Sequence, residues 1–242
     1  MKIALIADLH GNRPAVEALE KDLQRTQPDL IYCLGDIVGK GPSSDFTYDW
    51  AMANCQLILG GNWDFGVGEK RFPRDDYYWN QLGEEKLKVL RELPLEHEFF
   101  MCGRRIRLFH GRPVMDVLIK SNDDASLIYP FFYDEQGERY DMVIYADAHR
   151  QAMRTMTPGM FVNVGSVGNG LGEPRCCYAI LEGDMDDPAS PLEIRFRQIG
   201  YDRDQAVADA QAAPDVPWIE AYIREVETGL YSRNMGVGSA KG

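Results

Sequence analysis

The first sixty residues alternate apolar runs with segments of helical period. No other feature constrains the fold of this chain as strongly. Lys2 to Ala7, Leu30 to Leu34 and Leu57 to Leu59 are short runs rich in Leu and Ile, which reads as buried parallel strands. Between the first two, Pro14 suits the first position of a helix, and Val16, Leu19 and Leu23 share one face. That helix should stop before Pro28. A second helix should start at Ser43 or Ser44 and run to about Ala53. Strand–helix–strand–helix–strand predicts a parallel sheet with crossover helices.

The remaining chain continues in mixed order. Gly66 to Asp76 reads as a polar loop and Tyr77 to Leu93 as a helix ended by Pro94. His97 to Cys102 and Arg105 to Phe109 predict an antiparallel hairpin around Gly103-Arg104. Residues 111–140 are irregular and read as a lid or insertion, with short helices expected at Asp116–Ile119 and Ala125–Phe132. Strands follow at Met142–Ala146, Ala152–Thr155, Met160–Val164, Tyr178–Leu181 and Leu192–Ile199. Helices at Tyr201–Ala212 and Trp218–Val226 form a C-terminal extension over 201–234, and Met235 to Gly242 should fray. The 242 residues are therefore read as one domain.

Composition narrows the class of partner. A net charge of −12 argues against a nucleic-acid duplex or an anionic membrane as ligand. An anionic substrate would need a local positive focus. No apolar run reaches membrane-spanning length, and the first residues lack the features of a signal peptide. The five cysteines show no Cys-x-x-Cys spacing, which predicts neither a thiolate metal site nor a disulfide framework. A cytoplasmic protein is expected.

The chemistry gathers where strands end. Five predicted strands run into Asp8 and His10, Asp36, Asn62, His110, and Asp147 with His149. In open α/β sheets, ligands bind beyond the carboxyl ends of strands. Asp and Asn are also common turn formers, so one such end would mean little. Five in order mean more, because three of the four histidines fall at them. Carboxylates, imidazoles and an amide oxygen suit Mn, Fe, Zn or Mg. Seven groups exceed the needs of one ion and fit two that share a carboxylate. His97, inside a strand pattern between Glu96 and Glu98, is read as structural.

Asp8-Leu9-His10, Gly35-Asp36, Gly61-Asn62-Trp63-Asp64, His110-Gly111 and Ala146-Asp147-Ala148-His149 resemble, in order, the signature blocks of the calcineurin-like metallophosphoesterases. Gly35-Asp36-Ile37-Val38-Gly39-x-Gly41-Pro42 and Asn163-x-Gly165-Ser166-Val167-Gly168 resemble the YfcE-like, diadenosine-tetraphosphatase-like branch. The resemblance implies an α/β fold, a four-layer αββα sandwich of two mixed β-sheets flanked by helices. It implies two divalent metal ions, with Mn favoured. Asp8, His10 and His149 would hold the first, Asp36 would bridge, and Asn62, His110 and Asp147 would hold the second.

Two positions depart from the family pattern. Asp147 stands where a histidine is usual; a carboxylate still binds a hard or borderline ion. Trp63 stands where the family has a histidine thought to protonate the leaving oxygen. An indole N–H donates a hydrogen bond and not a proton. Trp63 is then expected to touch substrate or pack against the lid. Asn62 is expected to stabilise the phosphoryl group and Asp64 to relay a proton or pair with a cation. Arg112 is expected to bind phosphate, and Arg71 and Arg74 to be solvated loop residues. The expected function is hydrolysis of phosphodiester or phosphoanhydride bonds of a small phosphorylated substrate, with nucleotides among the candidates. A Vps29-like binding or scaffold protein is the alternative. A homo-oligomer is compatible with the sequence.

Overall fold

The protein, seen in a computed structural model that describes residues 1–233, is built on two five-stranded sheets. The expected fraying of Met235–Gly242 lies outside the described residues. In the first sheet, β1 (Lys2–Ile6) pairs in parallel with β2 (Leu30–Cys33), and β2 with β3 (Leu57–Ile58). On the other side of β1, β9 (Cys176–Glu182) and β10 (Glu193–Ile199) add antiparallel. In the second sheet, β5 (Arg104–Phe109), β6 (Met142–Tyr145) and β8 (Met160–Asn163) are parallel neighbours. Antiparallel β4 (Glu96–Met101) and β7 (Ala152–Thr155) form its edges. Both sheets are mixed, as expected.

The alternating side chains of the strands decide the layers. Ile3 and Leu5 of β1, Ile106 and Leu108 of β5, and Ile144 of β6 meet in one buried cluster between the sheets. Ala4 and Ile6 point the other way and pack under α1 (Arg13–Thr26), α2 (Ser44–Asn54) and α4 (Asp76–Arg91). The outer face of the second sheet (Phe109, Val143, Tyr145 and Phe161) is covered by Met115, Ile119, Ile128 and Phe132 from the irregular segment. In that segment α5 is one turn, Ala125–Ile128, followed by a 3₁₀ turn at Tyr129–Phe132. Asp116–Ile119 is not helical. It lies as an irregular strap whose Met115 and Ile119 are buried. Helices α6 (Arg203–Gln211) and α7 (Ile219–Thr228) pack on each other, and α6 also meets α1. His97 is half-buried and packs on Tyr32 and Phe99.

One expected turn is a helix. Asn62–Gly68 forms α3, and Pro73–Asp75 adds a 3₁₀ turn inside the stretch expected to be a loop. Glycines at 66 and 68 and the absence of apolar period hide this helix from the sequence. Tertiary contacts hold it instead: the Asp64 carboxylate accepts the Gly61 N–H at 2.9 Å, and Phe65 and Val67 are buried. Helix α4 is interrupted at Gly83, where φ is +72°.

Candidate metal centre

The carboxyl ends of β1, β2, β5 and β6 open onto a common floor. Asp8, His10, Asp36, Asp147 and His149 all take left-handed backbone conformations, with φ between +47° and +61°. Such conformations are uncommon for residues other than glycine and persist where surrounding structure over-determines them. Here backbone hydrogen bonds do so. Asp8 N–H donates to Gly35 O at 2.9 Å and His10 N–H to Asp36 O at 3.3 Å. Gly168 N–H donates to Asp8 O at 2.8 Å. A Cβ on Gly168 would lie 1.9 Å from Leu9 O, so only glycine permits this approach. The glycine-rich loop 165–172 thereby clamps the β1 turn.

Each histidine is oriented by a backbone carbonyl. Nδ1 lies 3.2 Å from Val38 O in His10, 2.8 Å from Leu34 O in His110 and 2.7 Å from Asn169 O in His149. A carbonyl only accepts, so each Nδ1 carries a proton and each ring turns its Nε2 inward. These nitrogens converge. His10 Nε2 is 3.2 Å from His149 Nε2, and His149 Nε2 is 3.3 Å from Asp8 Oδ1. His110 Nε2 is 3.3 Å from Asp36 Oδ2.

Two ligand triads result, Asp8–His10–His149 and Asp8–Asp36–His110, all buried and sharing Asp8. Asp36 Oδ2 also lies 3.6 Å from His10 Nε2, between the two groups. Both Asp8 oxygens, Asn62 Oδ1 and His110 Nε2 are buried and find no hydrogen-bond partner among the described residues. Buried polar atoms left this way are costly unless something binds them. Acceptor-only oxygens and imidazole nitrogens facing one another suit a divalent cation, so these residues fit the implied metals.

The charges agree with that fit. Burial, with Lys40 and His149 nearby, holds His10 well below its usual pKa, in the neutral form a metal needs. Burial would also lower His110, but Asp36 and Asp8 outweigh it and push it up to about 10. The acid pair therefore holds a proton on His110 that a cation would displace.

Other expected site residues have different surroundings. Asp147 belongs to neither triad, but its charge acts on His110. Arg112 grips it in a fork, Nε to Oδ2 at 2.8 Å and Nη2 to Oδ1 at 2.7 Å, and adds its backbone N–H at 3.1 Å. Burial acts to raise the Asp147 pKa, and Arg112 holds it below the usual range. Arg112, expected to meet phosphate, thus already has an anionic partner, although its side chain still lines the pocket. Asp64 is fully buried and accepts three backbone N–H bonds, from Asp36 at 2.7 Å, Gly61 at 2.9 Å and Ile37 at 3.0 Å. It ties the β2 turn to the start of α3 and does not line the pocket. Burial and the Asp36 charge push its pKa up to about 7. Arg71 pairs with Glu69, and Arg74 lies against Phe72 and Trp218.

Trp63 is half-buried and lines the pocket. Its six-membered ring presses on Gly39, where a Cβ would come within 2.2 Å of Cε3. The Arg233 guanidinium sits over the indole, 4.7 Å from its centroid. Its backbone N–H donates to Asp36 Oδ1 at 2.8 Å, which aims the other carboxylate oxygen into the cluster.

Asp36, Asn62 and His149 of the cluster line a pocket of about 950 Å³, large for a small-molecule site. Cations concentrate there in an otherwise acidic chain: Lys40, Arg71, Arg74, Arg112, Lys120, Arg150 and Arg233 line it. Sequence reading missed Lys40, Asn169 and Arg233. A lysine between Gly39 and Gly41 at a strand end was a usable signal for the first. Arg233 has none, because it arrives from beyond α7.

Residues 1–186 match the family model described as the calcineurin-like phosphoesterase superfamily domain. The chain belongs to the calcineurin-like phosphoesterase superfamily. Among similar proteins is the uncharacterised protein MJ0912 of Methanocaldococcus jannaschii, 26% identical over 238 residues, covering 94% of this chain and 93% of that protein. A crystal structure of a metallophosphoesterase from Sphaerobacter thermophilus superposes with a TM-score of 0.71 at 22% identity, over 95% of this chain and 100% of that one. The hypothetical protein PH1004 of Pyrococcus horikoshii gives 0.74 at 20% identity, over 93% and 97%. These structural matches carry the fold. The two sheets and flanking helices of this chain are those of the calcineurin-like phosphoesterases, a metal-dependent family. No helix among the described residues is long and apolar enough to cross a membrane.

Proposed function

We propose that this calcineurin-like chain is a hydrolase of phosphodiester or phosphoanhydride bonds, with nucleotides among its substrates, in the YfcE-like branch. One observation carries the reading. Buried, unpartnered ligand atoms of Asp8, Asn62 and His110 lie with those of His10, Asp36 and His149 beside a cation-lined pocket that Asp36, Asn62 and His149 reach. Asp8, His10, Asp36, His110 and His149 would hold two divalent ions, with Mn favoured and Asn62 completing the set. A bound pair would polarise the phosphoryl oxygens and lower the pKa of an attacking water.

The chain itself supplies position and charge. The three site histidines are fixed by backbone carbonyls, so the site needs no rearrangement to accept a phosphoryl group. Arg112 offers a guanidinium edge at the Asp147 side. Trp63 cannot protonate a leaving oxygen, so the favoured leaving groups are those stable as anions, aryl oxides and phosphates. General acid help is typically worth ~10²–10⁴ in rate. Substrate would enter between the 111–120 strap and the 231–233 segment.

Metal analysis of purified protein, with assays of bis(p-nitrophenyl) phosphate and a dinucleoside polyphosphate in added Mn, tests this. Bound metal with turnover is expected; no metal and no turnover would overturn it. A scaffold role is the second reading, favoured by Trp63 and by the Arg112–Asp147 fork. It predicts metal binding without turnover. In the enzyme, Trp63→His should raise alkyl monoester turnover by at least ~10-fold; no rise would refute the account of the missing acid.

A further inference from the structure

Two buried cations in the pocket have no carboxylate in ion-pair contact among the described residues. Lys40 is 5% exposed. Its ammonium donates to Asn169 Oδ1 at 2.9 Å and lies 3.4 Å from His149 Nε2, with no carboxylate in ion-pair contact among the described residues. Arg233 presents Nε and Nη2, both buried and both without an acceptor among the described residues. Glu225 and Asp75 act on Arg233 from a distance, yet neither forms an ion pair with it. Glu225 is turned instead to the Ser232 N–H, 2.9 Å from Oε1. Buried guanidinium donors are normally satisfied, and buried charges normally paired. Unmade bonds facing a pocket mark the place of a ligand that makes them.

The position of these groups defines what that ligand is. Lys40 touches His149 at one end of the metal cluster. Arg233 rests on Trp63, whose ring meets His10 edge-on with centroids 5.9 Å apart. Both cations therefore flank the His10–His149 end of the cluster. A phosphoryl group on the cluster would have its next substituent directed at Lys40 and Arg233, or at the fork, where Asp147 already occupies the guanidinium. Among the described residues, the first end offers donors that no carboxylate holds.

We propose that Lys40 and Arg233, the latter braced on Trp63, form a second anion subsite that takes the neighbouring phosphate of a phosphoanhydride. This rests on the phosphoesterase reading and narrows its substrate class from diesters to di- or polyphosphates. In the reaction, a water oxygen bonds to the phosphorus on the cluster. The bond from that phosphorus to the bridging oxygen breaks. The bridging oxygen keeps the bonding pair and leaves on the second phosphate, and water gives up a proton to solvent. The positive charges of Lys40 and Arg233 receive the leaving phosphate as an anion, so no proton donor is needed at Trp63.

Calorimetry on the Mn-loaded full chain tests the subsite without turnover. Methylenediphosphonate, which cannot be hydrolysed, is compared with methylphosphonate for wild type, Lys40→Gln, Arg233→Gln and Arg233→Lys. Wild type should bind the diphosphonate more tightly. Each Gln variant should lose about 10–100-fold on it, the range of a lost hydrogen bond to a charged group, and several-fold at most on methylphosphonate. Arg233→Lys should recover part of the loss. Equal losses on both ligands, or none on either, would overturn the subsite. Arg233 lies after the last helix, so its variants should fold even if Lys40→Gln does not. Wild type that turns over no phosphoryl substrate would sink the phosphoesterase reading, while the diphosphonate margin would still decide the subsite.

Discussion

Replacing Asp64 by Asn separates a structural from a chemical role for this carboxylate. Asp64 holds three backbone N–H groups, from Asp36, Gly61 and Ile37, at 2.7 to 3.0 Å in a fully buried position. An amide keeps one acceptor oxygen. In its better orientation it retains the Asp36 and Gly61 bonds and points NH₂ at the Ile37 N–H. A buried donor left without an acceptor costs ~1–3 kcal/mol, and the two surviving bonds lose their charge assistance, roughly 0.5–1 kcal/mol each. The sum is about 2–5 kcal/mol. For a chain of this length each kcal/mol shifts the melting temperature by roughly 2–4 °C, so a fall on the order of 10 °C is expected. Thermal unfolding by circular dichroism in chelator isolates this loss from metal linkage. Because Asp64 positions the turn bearing Asp36, Mn affinity measured by calorimetry should also fall. A variant that melts within about 1 °C of wild type yet loses turnover would refute the reasoning and restore a proton-relay role.

Three further outcomes are expected. Asp22, buried on α1, accepts from Arg197 on β10 at 2.7 and 2.9 Å and from the Tyr178 hydroxyl at 2.7 Å; burial acts to raise its pKa, but these partners hold it below the usual range. Its stabilisation is therefore present above about pH 4 and lost as pH falls through the lowered value, so urea unfolding should show Asp22→Asn less stable at neutral pH by ~1–3 kcal/mol, with the gap closing in acid. Gly39→Ala meets both a φ of +86° and the Trp63 ring, and should cost about 2–4 kcal/mol in chemical unfolding from strain plus overpacking. Saturating Mn at a hundredfold excess over its dissociation constant should stabilise the chain by about 2.7 kcal/mol, and His110→Ala should remove most of that gain in a melting assay.

The order of elements was legible because local chemistry wrote it. Runs of Leu and Ile mark the buried strands, and Pro14 and the Val16–Leu19–Leu23 face mark α1. The strand-end residues were legible as candidates because carboxylates and histidines recur there, and the sheets bring Asp8, His10, Asp36, His110 and His149 together. The helix at Asn62–Gly68 was not legible. It has no period of its own, and the Asp64 hydrogen bonds and the burial of Phe65 and Val67 make it. Asp116–Ile119 failed in the opposite sense: its apolar residues serve the sheet below it and not a helix face.

The sequence by itself determined the layers and the kinds of atom available at the strand ends, since both follow from side-chain type and short-range spacing. Partnership was decided by the tertiary structure. Asp147 could have been a ligand or a counter-ion, and the conformation that sets Arg112 beside it turned both its oxygens to the guanidinium. Trp63 could have faced a base, and the return of the chain after α7 placed Arg233 on its ring. Nothing within a few residues of either position encodes these choices. They depend on segments 35 and 170 residues away in the chain, and only folding sets them side by side.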